Sequence, residues 1–112
     1  MRTLQLAPRA VEAVWAMGGL ASAHLSAGRP EEALHWGLRA LQTTDGIASI
    51  HCIVAAAYAH VGRQADAEAR VQRALGIWPE LTVKLVLGHK KAPKVQFQLL
   101  EQGLLKAGLP AI

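Results

Sequence analysis

Cysteine is nearly missing from this chain of 112 residues: Cys52 stands alone, so an internal disulfide and a multi-cysteine zinc site are both excluded. It lies in an apolar run, where a buried small hydrophobe is the expected role. Aromatic residues are scarce as well, 4% of a chain that is 52% hydrophobic, and alanine and leucine carry the apolar content. That composition argues against a sheet, because β-branched and aromatic side chains lead in strands. Long apolar runs are also lacking. The longest uncharged stretch, Gly46 to Gly62, contains two histidines and falls short of the ~20 apolar residues that a membrane span needs. Arg9 and Glu12 interrupt the only early apolar run, which leaves no signal-peptide pattern. The expectation is a soluble, cytoplasmic, all-α protein of one domain with no membrane contact.

Negative charge is missing from the last third. Residues 1 to 80 hold seven arginines against seven acids, whereas residues 81 to 112 set Lys84, Lys90, Lys91, Lys94 and Lys106 against Glu101 alone. The whole +4 excess therefore sits in the tail. Four lysines between positions 84 and 94 could meet phosphates, and such binding would weaken steeply with salt. The tail has no arginine, however, and Phe97 alone makes no stacking platform for bases. A solvated connector is the expected role of "GHKKAPK", and nucleic acid is not the expected partner.

What is present is periodicity. Apolar residues in "VEAVWAMGGLASAHL" recur every three to four positions, as a helix requires. The pattern predicts a helix over about 12–26, a stop at Gly28, and a second helix over about 31–43 opened by Pro30, Glu31 and Glu32. The cycle then repeats: a helix over 47–60, Gly62 as the stop, a helix over 64–77, and Pro79. A third cycle runs from about Glu80 to Lys91 and breaks at Ala92-Pro93. A last helix over 94–106 ends at Gly108 and Pro110. Gly18 and Gly19 inside the first helix cost about 1 kcal/mol each relative to alanine and so suggest close backbone approach or a kink.

"GRPEEALHWGLRALQTTD" (28–45) and "GRQADAEARVQRALGIWP" (62–79) share Gly28/Gly62, Arg29/Arg63, Ala33/Ala67, Arg39/Arg73, Ala40/Ala74 and Leu41/Leu75, each pair 34 residues apart. A helix–turn–helix unit of that period resembles the tetratricopeptide repeat. Leu20 and Val54 fall on the first helix's leucine position, followed by Ala21 and Ala55. Tyr58 takes the tyrosine position, Gly28 and Gly62 the turn, Ala33, Ala67, Ala40 and Ala74 the second helix's alanines, and Pro79 the closing proline. Met17 and His51 depart from the usual tryptophan, His24 from a tyrosine, Gly37 from an aromatic and Asp45 from a proline. The resemblance covers about 14–91, with a first repeat over 14–47, a second over 48–81 and a partial third over 82–91. Residues 93–112 form a capping helix and tail, and residues 1–12 resemble the end of a preceding repeat or a linker. It implies a right-handed α-solenoid of antiparallel helix pairs with a C-terminal capping helix.

Two expectations concern the ends. "LQLAP" (4–8) echoes "LQTTD" at 41 and "LGIWP" at 75, and Val14, Met17, Leu20 and Leu25 are offered with little to cover them. The chain is therefore expected to be the C-terminal piece of a longer array, or a short array that covers its end by self-association. "QGLLKAGLPAI" is similar to the close of bacterial proteins in which a class III adenylate/guanylate cyclase-like domain precedes tetratricopeptide repeats. Transcriptional regulators with similar arrays are the nearest alternative. Metal-binding aspartates in a sheet are absent, so the resemblance implies a non-catalytic interaction or scaffold module, the regulatory or oligomerisation part of such a signalling protein.

No constellation in the chain carries chemistry. His51 and His60 are nine apart, His24 and His35 eleven apart, and neither pair has the i, i+4 spacing of helix-borne metal ligands. Ser22, Ser26, Ser49 and Cys52 lie in no nucleophile motif, and "MGGLASAHLSAG" is no phosphate loop. An enzyme, a metal and a cofactor are not expected. The resemblance implies instead a groove lined by the first helix of each pair: Trp15, Gly18, Ser22, Leu25 and Ser26, then Ser49, Cys52, Ala56, Ala59 and His60, then Val83, Val86 and Lys90. Its occupant would be a protein or peptide, and the same residues fit burial against a second copy in a homodimer. A basic nucleic-acid-binding module and a small-molecule sensor are the rival readings. Trp15 is the best contact candidate, since tryptophan is enriched at binding hot spots; Trp36 and Trp78 fit packing between repeats.

Overall fold

The computed structural model describes residues 8–88 and 97–112. Residues 4–7 of the "LQLAP" echo, the lysines at 90, 91 and 94, the break at Ala92-Pro93 and the expected helix start at 94 lie outside the described residues. Every regular element described is helical: α1 (Pro8–Ser26), α2 (Pro30–Thr43), α3 (Ala48–His60), α4 (Gln64–Ile77), α5 (Val83–Gly88) and α6 (Gln98–Ala107).

The helix boundaries follow from local chemistry. α2 opens on Pro30, whose missing N–H costs nothing in a first turn, with Glu31 and Glu32 at the positive end of the helix dipole. Asp66 does the same for α4. α1 and α3 both stop in a left-handed glycine, Gly28 at φ 81° and Gly62 at φ 83°, a conformation that a Cβ would penalise. The Arg29 N–H donates to the His24 carbonyl at 2.8 Å and the Gly28 N–H to Leu25 at 3.0 Å. Thirty-four residues on, Arg63 donates to Tyr58 at 2.9 Å and Gly62 to Ala59 at 3.3 Å. Both are Schellman closures, which satisfy carbonyls left over at a helix end. The arginine after each glycine folds back on the same upstream position. Arg29 Nε donates to His24 Nδ1 at 2.9 Å, and the Arg63 guanidinium stacks 4.8 Å from the Tyr58 ring centre. The second helices end alike too, Thr44 donating to Ala40 and Trp78 to Ala74.

Three-residue turns fold α1 against α2 and α3 against α4, so each pair is antiparallel, and α2 packs on α3 to join the pairs. α6 returns to lie on α3. Two glycines set these crossings. A Cβ on Gly37 would sit 2.5 Å from Val54 Cγ2, and one on Gly103 would sit 2.6 Å from both Cα and Cβ of Ala56. Close approach was expected instead at Gly18 and Gly19, and that is corrected here: a Cβ on Gly18 meets Ile50 at an ordinary 3.6 Å, and one on Gly19 meets nothing. The core is aliphatic and small, Ile50 to Ala59 of α3 being buried without interruption. A helix apolar on every side needs neighbours on every side. α2, α4 and α6 provide them.

Three further expectations change. The helix expected over Glu80–Lys91 is the six-residue α5 within the described part, held at its start by residues from the far end of the chain. Thr82 Oγ1 accepts the Leu85 N–H at 3.1 Å, a side-chain cap, while the Val83 and Lys84 N–H groups donate to the carbonyls of Pro110 (2.8 Å) and Ala111 (3.0 Å). Val14 and Leu25 are buried rather than uncovered, since α2 and α3 flank α1; Met17 is half-buried, and Leu20 alone of that set is exposed. Trp78 is exposed, while Trp36 packs against the core under the Arg39 guanidinium.

Candidate functional site

The helices α1, α3, α5 and α6 leave a cleft of about 280 Å³ between them. Trp15, Gly18, Gly19 and Ser22 come from α1, Ser49, Ile50, Cys52 and Ile53 from α3, Val86 from α5 and Leu100 from α6. The register of this lining is regular. Trp15 and Ser49 are 34 residues apart, as are Gly18 and Cys52, and Gly19 and Ile53; Val86 continues the Gly18–Cys52 series by another 34. Equivalent positions of successive units therefore build one wall. Small residues on α1 keep the cleft open, and the Trp15 ring, 58% exposed, stands at its edge.

Of the residues expected to line a groove, Trp15, Gly18, Ser22, Ser49, Cys52 and Val86 meet in this cleft. The others do not. Leu25 is core, and Ser26 is half-buried at the end of α1. Ala56 and Ala59 are fully buried; α6 crosses α3 with Gly103 on Ala56, so the chain itself fills that part of the expected groove. His60 Nε2 donates to the Leu99 carbonyl at 2.7 Å and so fastens α6 to α3. Val83 is buried at the first turn of α5, and Lys90 lies outside the described residues. Ile50, Ile53 and Leu100 were not expected in the lining. Ile53 was within reach of sequence reasoning, being the 34-residue partner of Gly19; Leu100 arrives only because α6 folds back.

Charge is absent from the lining, and the polar atoms are the Ser22 and Ser49 hydroxyls, the Trp15 indole and the Cys52 thiol. The histidines are engaged elsewhere. His24 accepts from Arg29, His35 packs edge-on to Trp36 at 5.0 Å, and His60 holds α6. His51 is buried with Nε2 2.7 Å from the Asp45 carbonyl, and burial lowers its pKa below the usual 6.5. Asp45 in turn pairs with Arg73 of α4. Among the described residues no three His, Cys, Asp or Glu side chains are grouped so as to hold a metal ion, and no helix is long and apolar enough to cross a membrane.

Fold and site together define an all-helical chain of paired helices carrying a neutral, largely apolar cleft. No family model matches the chain, no curated protein matches it, and no solved structure matches it.

Proposed function

We propose that the chain is a tetratricopeptide-like array of about two and a half helix pairs closed by a capping helix, and that its work is to hold a protein partner, a second copy of itself included, without chemistry of its own. The observation that carries this reading is the wall of the cleft, where Gly18, Cys52 and Val86 recur at one register of three successive units. Repeating units present equivalent positions side by side, and such continuous surfaces are what helical arrays use for binding. The matching Schellman closures at Gly28 and Gly62 support the same unit boundaries. A cleft without charge suits an apolar segment of a partner, anchored on Trp15. The tail "KAGLPAI" supports placing the module in the regulatory or oligomerising part of a bacterial cyclase-like signalling protein.

The test is molar mass in solution by light scattering across a concentration series, for the wild type and Trp15→Ala, followed by partner capture with the same pair. Concentration-dependent association or capture is expected, weakened in Trp15→Ala by about 30-fold, corresponding to a loss of about 2 kcal/mol at a hot spot. Identical behaviour of the two proteins would remove Trp15 and its cleft from the contact. Cyclic-nucleotide production by the chain alone would sink the non-catalytic reading.

A further inference from the structure

Among the described residues His51 is the one polar side chain sealed in the core, at 0% exposure. Its Nε2–H donates to the Asp45 carbonyl in the α2–α3 connector, and its Nδ1 is buried with no hydrogen-bond partner. A neutral ring tolerates that arrangement, since an unprotonated nitrogen needs no acceptor. A protonated ring does not. Nδ1–H would be a buried donor without an acceptor, and the new charge would meet Arg70 and Arg73 of α4. The connector offers one carboxylate, Asp45, already paired with Arg73. α2 and α6 bring no charge to bear on the ring among the described residues.

We propose that His51 is a proton-operated latch: neutral, it ties the α2–α3 connector to α3, and protonated, it leaves its niche and releases the connector, loosening the join between the two helix pairs. Desolvation by burial favours the neutral ring first, with Arg70 and Arg73 adding to it, against the opposing pull of the Asp45 carbonyl and carboxylate. The unfolded chain therefore binds the proton more readily than the folded one. Stability from this site is full above the unfolded value of 6.5 and is lost as pH falls below it toward the lowered folded value. The equivalent position of the first pair is Met17, which cannot titrate, so the device belongs to this join alone.

The experiment follows the His51 ring by NMR from about pH 8 to about pH 5, the range in which histidines change charge. Amide exchange over residues 44–50, corrected for the intrinsic effect of pH on exchange, is measured alongside in the wild type and in His51→Gln. Protection of the connector is expected to fall in the wild type by up to about tenfold per pH unit, the limit for one proton, in step with the ring's protonation. His51→Gln should show no such fall. Equal acid loss in both proteins overturns the proposal, as does a ring that titrates with the connector still protected, or one that stays neutral until the whole chain unfolds. If His51→Gln does not fold, coincidence of ring protonation and connector exchange in the wild type decides alone.

Discussion

α1 and α3 hold the same place in their units, 34 residues apart, and end in the same glycine turn, yet they live in different surroundings. Of the 19 residues of α1, Val14, Gly18, Ala21 and Leu25 are buried; of the 13 of α3, ten are. α1 leans mainly on α2, whereas α3 is packed by α2, α4 and α6. A register position therefore sets which way a side chain points, and the number of neighbouring helices sets what it is worth. Leu20 and Val54 make the point: equivalent in register, one is 41% exposed and the other 0%. Cohesion is concentrated around α3, which leaves α1 free to offer a face.

The contrast can be broken with glycine. Gly103→Ala drives a Cβ into the backbone of Ala56, which cannot give way as a flexible side chain can, and should cost about 3 kcal/mol in denaturant unfolding. Truncation sharpens it next. Val54→Ala should cost about 2 kcal/mol by opening a cavity in the crowded helix, and Leu20→Ala less than about 0.5 kcal/mol. Similar losses at both sites would mean that α1 is as well covered as α3, and the comparison would fail. The smallest change with a definite sign is Gly19→Ala, which meets open space and should stabilise by up to about 1 kcal/mol through helix propensity alone.

Much of the helical framework was legible because its punctuation is local. Pro30 with two glutamates, and glycines at 28, 62 and 108, mark starts and stops that need no knowledge of the rest of the molecule. The all-helical class followed from composition and from apolar spacing. What sequence could not reveal was where helices touch. A glycine within a helix looks the same whether its empty side faces solvent or another backbone, so Gly18 and Gly19 drew attention that Gly37 and Gly103 deserved. The return of α6 onto α3 was hidden for the same reason: the spacing of Leu100, Gly103, Leu104 and Ala107 announces an apolar face without naming what it covers. The expected groove was thus divided, Trp15, Gly18 and Ser49 entering the cleft while Ala56 went under α6. His51 was visible as an odd residue at a packing position; its seal depended on the fold of residues 44–47.

The start of α5 relies on acceptors about 27 residues downstream, the carbonyls of Pro110 and Ala111. Helices as short as this one are marginal in isolation, because nucleation consumes more chain entropy than a few hydrogen bonds return. The corner around Val83 is therefore a matter of timing as well as of packing. It can be completed only after the chain has been made through Ala111, Gly108 has turned it, and Leu109 has seated in the core. Helix pairs assemble through contacts near in sequence, but this corner waits for a distant one and should be late to gain protection when refolding is followed by pulse-labelled exchange at Val83 and Lys84.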